Sequence, residues 1–204
     1  MRFFEDSKYY SLKKSTYINL RWIGIIGQLI PVYLVHFYFG FKFDFFLTNL
    51  AIFFGVLSNL YLIFIYKKTQ LSDRSALLFL LIDIVQLTVL IYLTGGAKNP
   101  FIIFIIIPSI FASTNLGLKT NLLIVLITCI MIIFLTFYAS DLPYPLATHF
   151  HISDYIYYSI PVSLIIALIF LNYFAIIFGR ESRLRKEALN KMEEIMAKEH
   201  EMLS

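Results

Sequence analysis

The sequence predicts an all-α membrane protein: a six-helix transmembrane bundle followed by a C-terminal cytoplasmic helix. Three observations carry this. Hydrophobic residues fill 59% of the 204 positions and the mean hydropathy is +0.78, more apolar surface than a soluble chain of this size can cover, so the bilayer must be the solvent. The apolar residues gather into six runs, each near the roughly 20 residues needed to cross about 30 Å of hydrocarbon. The charged residues fall mainly between those runs rather than inside them.

The elements follow in order. Residues 1–19 are polar and charged, and the first apolar run is too long for a signal-peptide core, so a cytoplasmic N-terminal segment with no cleaved leader is expected. Spans are expected at residues 20–40, 45–66, 76–94, 100–118, 121–140 and 156–178. Residues 141–155 read as a surface loop. Past residue 178 the composition turns to Glu, Lys, Met and Ala, which favour helix. The organisation is therefore a segment 1–19, a six-span domain 20–179 and a cytoplasmic helix 180–204. In that helix Ala188, Met192, Ile195 and Met202 fall at heptad spacing, with Glu199 as a polar interruption. The start of a coiled-coil linker and a solvated amphipathic helix both fit this short pattern.

Orientation comes from the 17 Lys and Arg. With the N-terminus inside, all of them except Lys42 and Lys98 lie on cytoplasmic segments, which satisfies the positive-inside rule. Both termini are thus expected in the cytoplasm and the connection at residues 95–99 at the outer face. The net charge of +4 is spread between spans, so no nucleic-acid partner is expected. A single cysteine, Cys129, excludes an internal disulfide.

Polar groups inside spans are costly and each needs a reason. Asp83 and Gln86 stand at i and i+3 on one face of the third span. Two readings are open: an aspartate paired with Arg21 or Arg74 near the inner boundary, or an intramembrane polar switch formed by Asp83 and Gln86. Gln28 and His36 on the first span, Asn59 on the second and Asn115 on the fourth are further polar groups, of the kind that usually bonds a neighbouring helix. Pro31, Pro108 and Pro161 each remove a backbone bond within a span and are expected to bend it. His149 and His151 lie near Asp141 and Asp154 with poor ligand spacing and read as solvated loop, not as a metal site. No catalytic cluster and no metal-ligating group is found.

The stretch Gly95-Gly96-Ala97-Lys98-Asn99-Pro100-Phe101 organises the chain. Paired glycines after an apolar helix accept φ > 0 and serve as a C-cap. Asn99-Pro100 supplies an N-cap followed by a first-turn proline. The residues thus stop the third span and start the fourth. They also leave side-chain-free clearance at Gly95 and Gly96 beside the Asn99 amide and the Phe101 ring. A tight turn alone, and a turn that also binds a planar ring, both fit.

This stretch resembles the Gly-Gly-x-x-Asn-Pro-Phe heptapeptide of the RegB/PrrB/ActS family of redox-responsive sensor histidine kinases, and residues 20–28, Leu20-Arg21-Trp22-Ile23-Gly24-Ile25-Ile26-Gly27-Gln28, resemble that family's opening of the first span. The resemblance covers nearly the whole chain. It implies the membrane redox-sensing module of a two-component histidine kinase in a bacterial inner membrane. A quinone of the ubiquinone type would be the sensed ligand, at Gly95, Gly96, Asn99, Pro100 and Phe101. Asn99 would be the polar partner, Phe101 the stacking face and the two glycines the clearance. It also implies a homodimer, with a kinase domain and a response regulator as partners if the frame continues. The family's cytoplasmic redox cysteine has no counterpart here. No ATP lid, nucleotide box or acidic metal-binding motif occurs, so no catalytic activity is expected of these residues alone. His200-Glu201 matches the first two positions of a phosphoacceptor box, but in the family a segment like residues 199–203 lies upstream of that box. The competing reading is a small transporter or channel subunit, which needs polar residues lining a mid-bilayer path and a visible repeat. Only Asp83 with Gln86 speaks for it.

Overall fold

The computed structural model describes residues 12–138 and 154–203. They form α1 (Lys14–Tyr33, extended by a π-helical turn, Leu34–Tyr38), α2 (Phe45–Phe64) and α3 (Asp73–Leu93). A 3-10 turn, Gly96–Lys98, and a 3-10 segment, Pro100–Ile106, lead into α4 (Ile107–Asn115). The chain continues through α5 (Leu118–Tyr138) to α6 (Asp154–Leu203). The protein is a helical membrane bundle, with one small addition to the all-α reading. Leu12–Lys13 (β1) pairs antiparallel with Gln70–Leu71 (β2), Leu12 opposite Leu71. The predicted loop with His149 and His151 lies almost wholly outside the described residues.

Five helices among the described residues are long and apolar enough to cross a membrane, and Pro100–Asn115 is a shorter apolar helix. Its first seven residues are 3-10 and its last nine α-helical. At about 2.0 Å per residue in 3-10 and 1.5 Å in α, the sixteen reach roughly 28 Å. The change of helix type falls just ahead of Pro108, which lacks an N–H and whose ring crowds the carbonyl four residues back. Pro108 thus sits in the first turn of α4, where a missing N–H costs nothing. Pro31 stands inside α1, one turn before the π-helical stretch.

Side chains fix one end of the bundle. Lys14 Nζ donates to the carbonyls of Tyr66 (2.6 Å) and Ile63 (3.2 Å), neutralising the C-terminal end of α2. Ser72 caps α3 through the Ser75 N–H. The Asp73 carboxylate accepts the Gly117 N–H at 3.3 Å, and a Cβ on Gly117 would stand 2.9 Å from that oxygen, so this corner needs glycine. The start of α1, the α2–α3 connection and the α4–α5 corner therefore share one face. That face carries Lys13, Lys14, Lys67, Lys68, Arg74 and Lys119. The helices bury Leu80, Ile84, Ala112 and Ile124 between them in one cluster, and Ile91, Ile105, Ile132 and Leu168 in another. Outward positions such as Ile23, Phe37 and Phe64 are apolar and exposed, as a lipid-facing surface requires.

Candidate functional site

The turn between α3 and the 3-10 segment is built by backbone conformation. Gly95 and Gly96 have φ of 114° and 57°, a left-handed region that a side chain would strain. Lys98 N–H donates to the Gly95 carbonyl and Asn99 N–H to that of Gly96. Asn99 then caps the 3-10 segment: its Oδ1 accepts the Phe101 N–H at 2.9 Å. Its Nδ2 reaches back to Thr94 Oγ1 at 2.6 Å and to the Thr94 carbonyl at 3.2 Å. One buried side chain thus ties the end of α3 to the start of the next helix.

Beside this turn lies an apolar cavity of about 160 Å³. Its walls come from Gly27, Gln28 and Pro31 of α1, Phe43 of the α1–α2 connection, Leu87 and Ile91 of α3, Thr94 just past its end, and Asn99, Phe101 and Phe104. Phe101 and Phe104 stack with ring centroids 5.8 Å apart, and both line it. Of the residues expected at the ligand, Asn99, Pro100 and Phe101 border the cavity, whereas Gly95 and Gly96 do not. The glycines are buried, and the turn they form packs against α5 and α6. What the structure asks of the two glycines is the left-handed backbone of the turn. The Asn99 amide, expected to meet a ligand, is committed to Thr94 and Phe101.

Deeper in the bundle, Asp83 and Gln86 bond different partners. Asp83 Oδ1 accepts from Arg21 Nη2 at 2.6 Å and Nε at 2.9 Å, and Tyr17 Oη donates to Asp83 Oδ2 at 2.5 Å. Arg21 also donates to Ser58 Oγ at 2.8 Å, so the network joins α1, α2 and α3. Gln86 Nε2 donates to Gln28 Oε1 at 2.7 Å, and Gln28 in turn lines the cavity. His36 stacks on Phe45 at 4.2 Å, and its Nδ1 lies 3.2 Å from the Phe41 carbonyl. Cys129 is a half-buried thiol on α5.

Four residues that sequence reasoning did not single out matter here: Thr94, Tyr17, Ser58 and Asn172. Each is a polar side chain whose helix position faces a neighbour rather than lipid. Asn172 of α6 bonds Ser109 of α4 at 3.3 Å, both buried, and α4 packs along α6 more extensively than along any other described helix. The 3-10 turn and α4 therefore both touch the last helix, which runs without a break from Asp154 to Leu203, roughly 75 Å at 1.5 Å per residue.

No family model matches this chain, and no solved structure matches it. Among curated proteins there is a match covering 53% of this chain but only 24% of the relative's length, so the chain spans a minor part of that protein. Over those 110 residues it is 32% identical to the sensor histidine kinase RegB of Cereibacter sphaeroides, a similarity that supports a RegB-type sensor membrane region.

Proposed function

We propose that this chain is the membrane redox-sensing module of a two-component histidine kinase, and that it senses a quinone in the cavity beside the Gly95–Phe101 turn. The observation that carries the reading is the cavity itself. It is apolar, large enough for a ring, walled by Phe101 and Phe104, and bordered by the turn that resembles the family heptapeptide. A cavity of roughly 150 Å³ with apolar walls holds benzene. Oxidised and reduced rings differ in hydrogen-bonding character, so unequal affinity for two bundle arrangements shifts their populations. The route outward runs through the turn and α4 to α6, along the buried Ser109–Asn172 bond.

In this reading Pro100–Asn115 is the sixth crossing, its 3-10 stretch making up in rise what it lacks in residues. Both termini face the cytoplasm, placing the lysine- and arginine-bearing face described above inside. The cytoplasmic end of α6 starts a coiled coil, pairing two copies through the exposed Met192 and Ile195. The kinase domain and response regulator are the partners beyond it, in a bacterial inner membrane. Nothing favours the transporter reading, since the intramembrane carboxylate is already held by Arg21 and Tyr17.

Two experiments test this. Reporter fusions after residues 98 and 148 should report outside, and after residues 70 and 204 inside; a cytoplasmic signal at 148 would overturn the six-crossing arrangement. Titration of a short-chain quinone into the purified chain in detergent should show saturable binding, and its absence removes the sensing reading.

A further inference from the structure

The cavity has three polar residues in its wall, and they differ in what they have left to offer. Thr94 Oγ1 donates to the Leu90 carbonyl at 2.8 Å and accepts from Asn99. Asn99 spends both ends of its amide on Thr94 and Phe101. Gln28 is different: its Oε1 accepts from Gln86, and its Nε2 donates to no atom among the described residues. Its oxygen is held, so the orientation of the amide is fixed and the two N–H bonds of Nε2 remain available. Gln28 comes from the face of α1 that also carries Arg21 and Ile25, so its backbone is anchored by buried neighbours a turn or two away.

We propose that Gln28, rather than Asn99, is the hydrogen-bond donor to a ring carbonyl in this cavity. This rests on the sensing reading above and specifies its chemistry. An oxidised quinone presents carbonyl oxygens, acceptors only, which match the one uncommitted side-chain donor among the described residues of the wall. Burying a ring carbonyl without a donor is unfavourable, and the Gln28 amide supplies one. Gln86 acts as a positioning residue, holding the Gln28 amide by its oxygen.

The test uses the full chain in detergent with two probes: a short-chain benzoquinone, and trimethylbenzene as a ring without oxygens. The parent should bind both. Gln28→Met should weaken the quinone roughly 3- to 10-fold, the range expected for one lost hydrogen bond, and leave trimethylbenzene unchanged. Gln28→Met strands Gln86 without its acceptor, so the pair Gln28→Met with Gln86→Met, which removes both partners, serves if the single variant folds poorly. Equal quinone affinity in the parent and in Gln28→Met, with Phe101→Ala weakened, would overturn the donor assignment and leave the sensing reading standing. A parallel loss for quinone and trimethylbenzene would overturn it too, by making Gln28 a packing residue. If no probe binds the parent, both the assignment and the sensing reading fall.

Discussion

Arg21→Met is expected to remove most of the folded protein, at a cost of about 3–5 kcal/mol, the range for breaking a buried ion pair from one side. The Arg21 side chain is 5% exposed and that of Asp83 20%. Removing the guanidinium strands the carboxylate with only Tyr17 as partner and leaves Ser58 without its donor. Asp83→Asn should also lose stability, because it leaves the guanidinium uncompensated. The double change, Arg21→Met with Asp83→Leu, should recover much of the loss, since replacing both members with apolar groups removes the desolvation cost as well. Monodispersity and thermal midpoint in detergent measure all three. An Asp83→Asn protein with parental yield and ligand affinity but altered signalling would instead make the pair part of the switch.

Asn99→Ala is expected to lower stability by about 2 kcal/mol. The cap on the Phe101 N–H contributes about 1 kcal/mol, and the bonds to Thr94 contribute about 1 kcal/mol more between them. Asn99→Asp keeps the cap acceptor but loses donation to Thr94, so it should fall between Ala and the parent. Folded Asn99→Ala should lose less quinone affinity than Phe101→Ala, because its amide faces Thr94 and Phe101 while the Phe101 ring faces the cavity. Equal losses would return Asn99 to the ligand.

Much of the bundle could be read from composition, because a run of apolar residues of bilayer length has few alternatives. The stop at Gly95 and the start at Asn99-Pro100 were legible for a similar reason: positive φ and a side-chain cap each demand particular residues at particular places. The 3-10 stretch was not. Pro100–Ile106 is as apolar and as helix-compatible as its neighbours, and nothing in its residue types distinguishes a 3-10 from an α-helical coil. The partner of Asp83 was legible in part, since Arg21 was one of two cations within reach.

The site divided along a similar line. Phe101 was legible as a ring beside the turn, but the role of Gly95 and Gly96 depended on what packs on them, and α5 and α6 are distant in sequence. Gln28 and Gln86 each looked like a lone polar residue in a span. Their pairing follows from α1 and α3 running in the same direction within reach of each other's long side chains, as the Arg21–Asp83 and Gln28–Gln86 bonds together require. Spacing on each helix was visible; the relative register of the two helices was not.

The measurement that bears most directly on the sensing claim compares the parent, Phe101→Ala and Gly27→Leu in one quinone titration, with thermal midpoints taken alongside. Gly27 lines the cavity, and a Cβ built there meets nothing within 4 Å, so a leucine can grow into open space and occupy it. Replacing a mid-helix glycine also favours the helix, by about 0.5–1 kcal/mol. The account predicts saturable binding by the parent, weaker binding by Phe101→Ala, none by Gly27→Leu, and parental or higher thermal midpoints for Gly27→Leu. Gly27→Leu protein that is folded and binds the quinone as the parent does would contradict it, because the ring could not then be in this cavity.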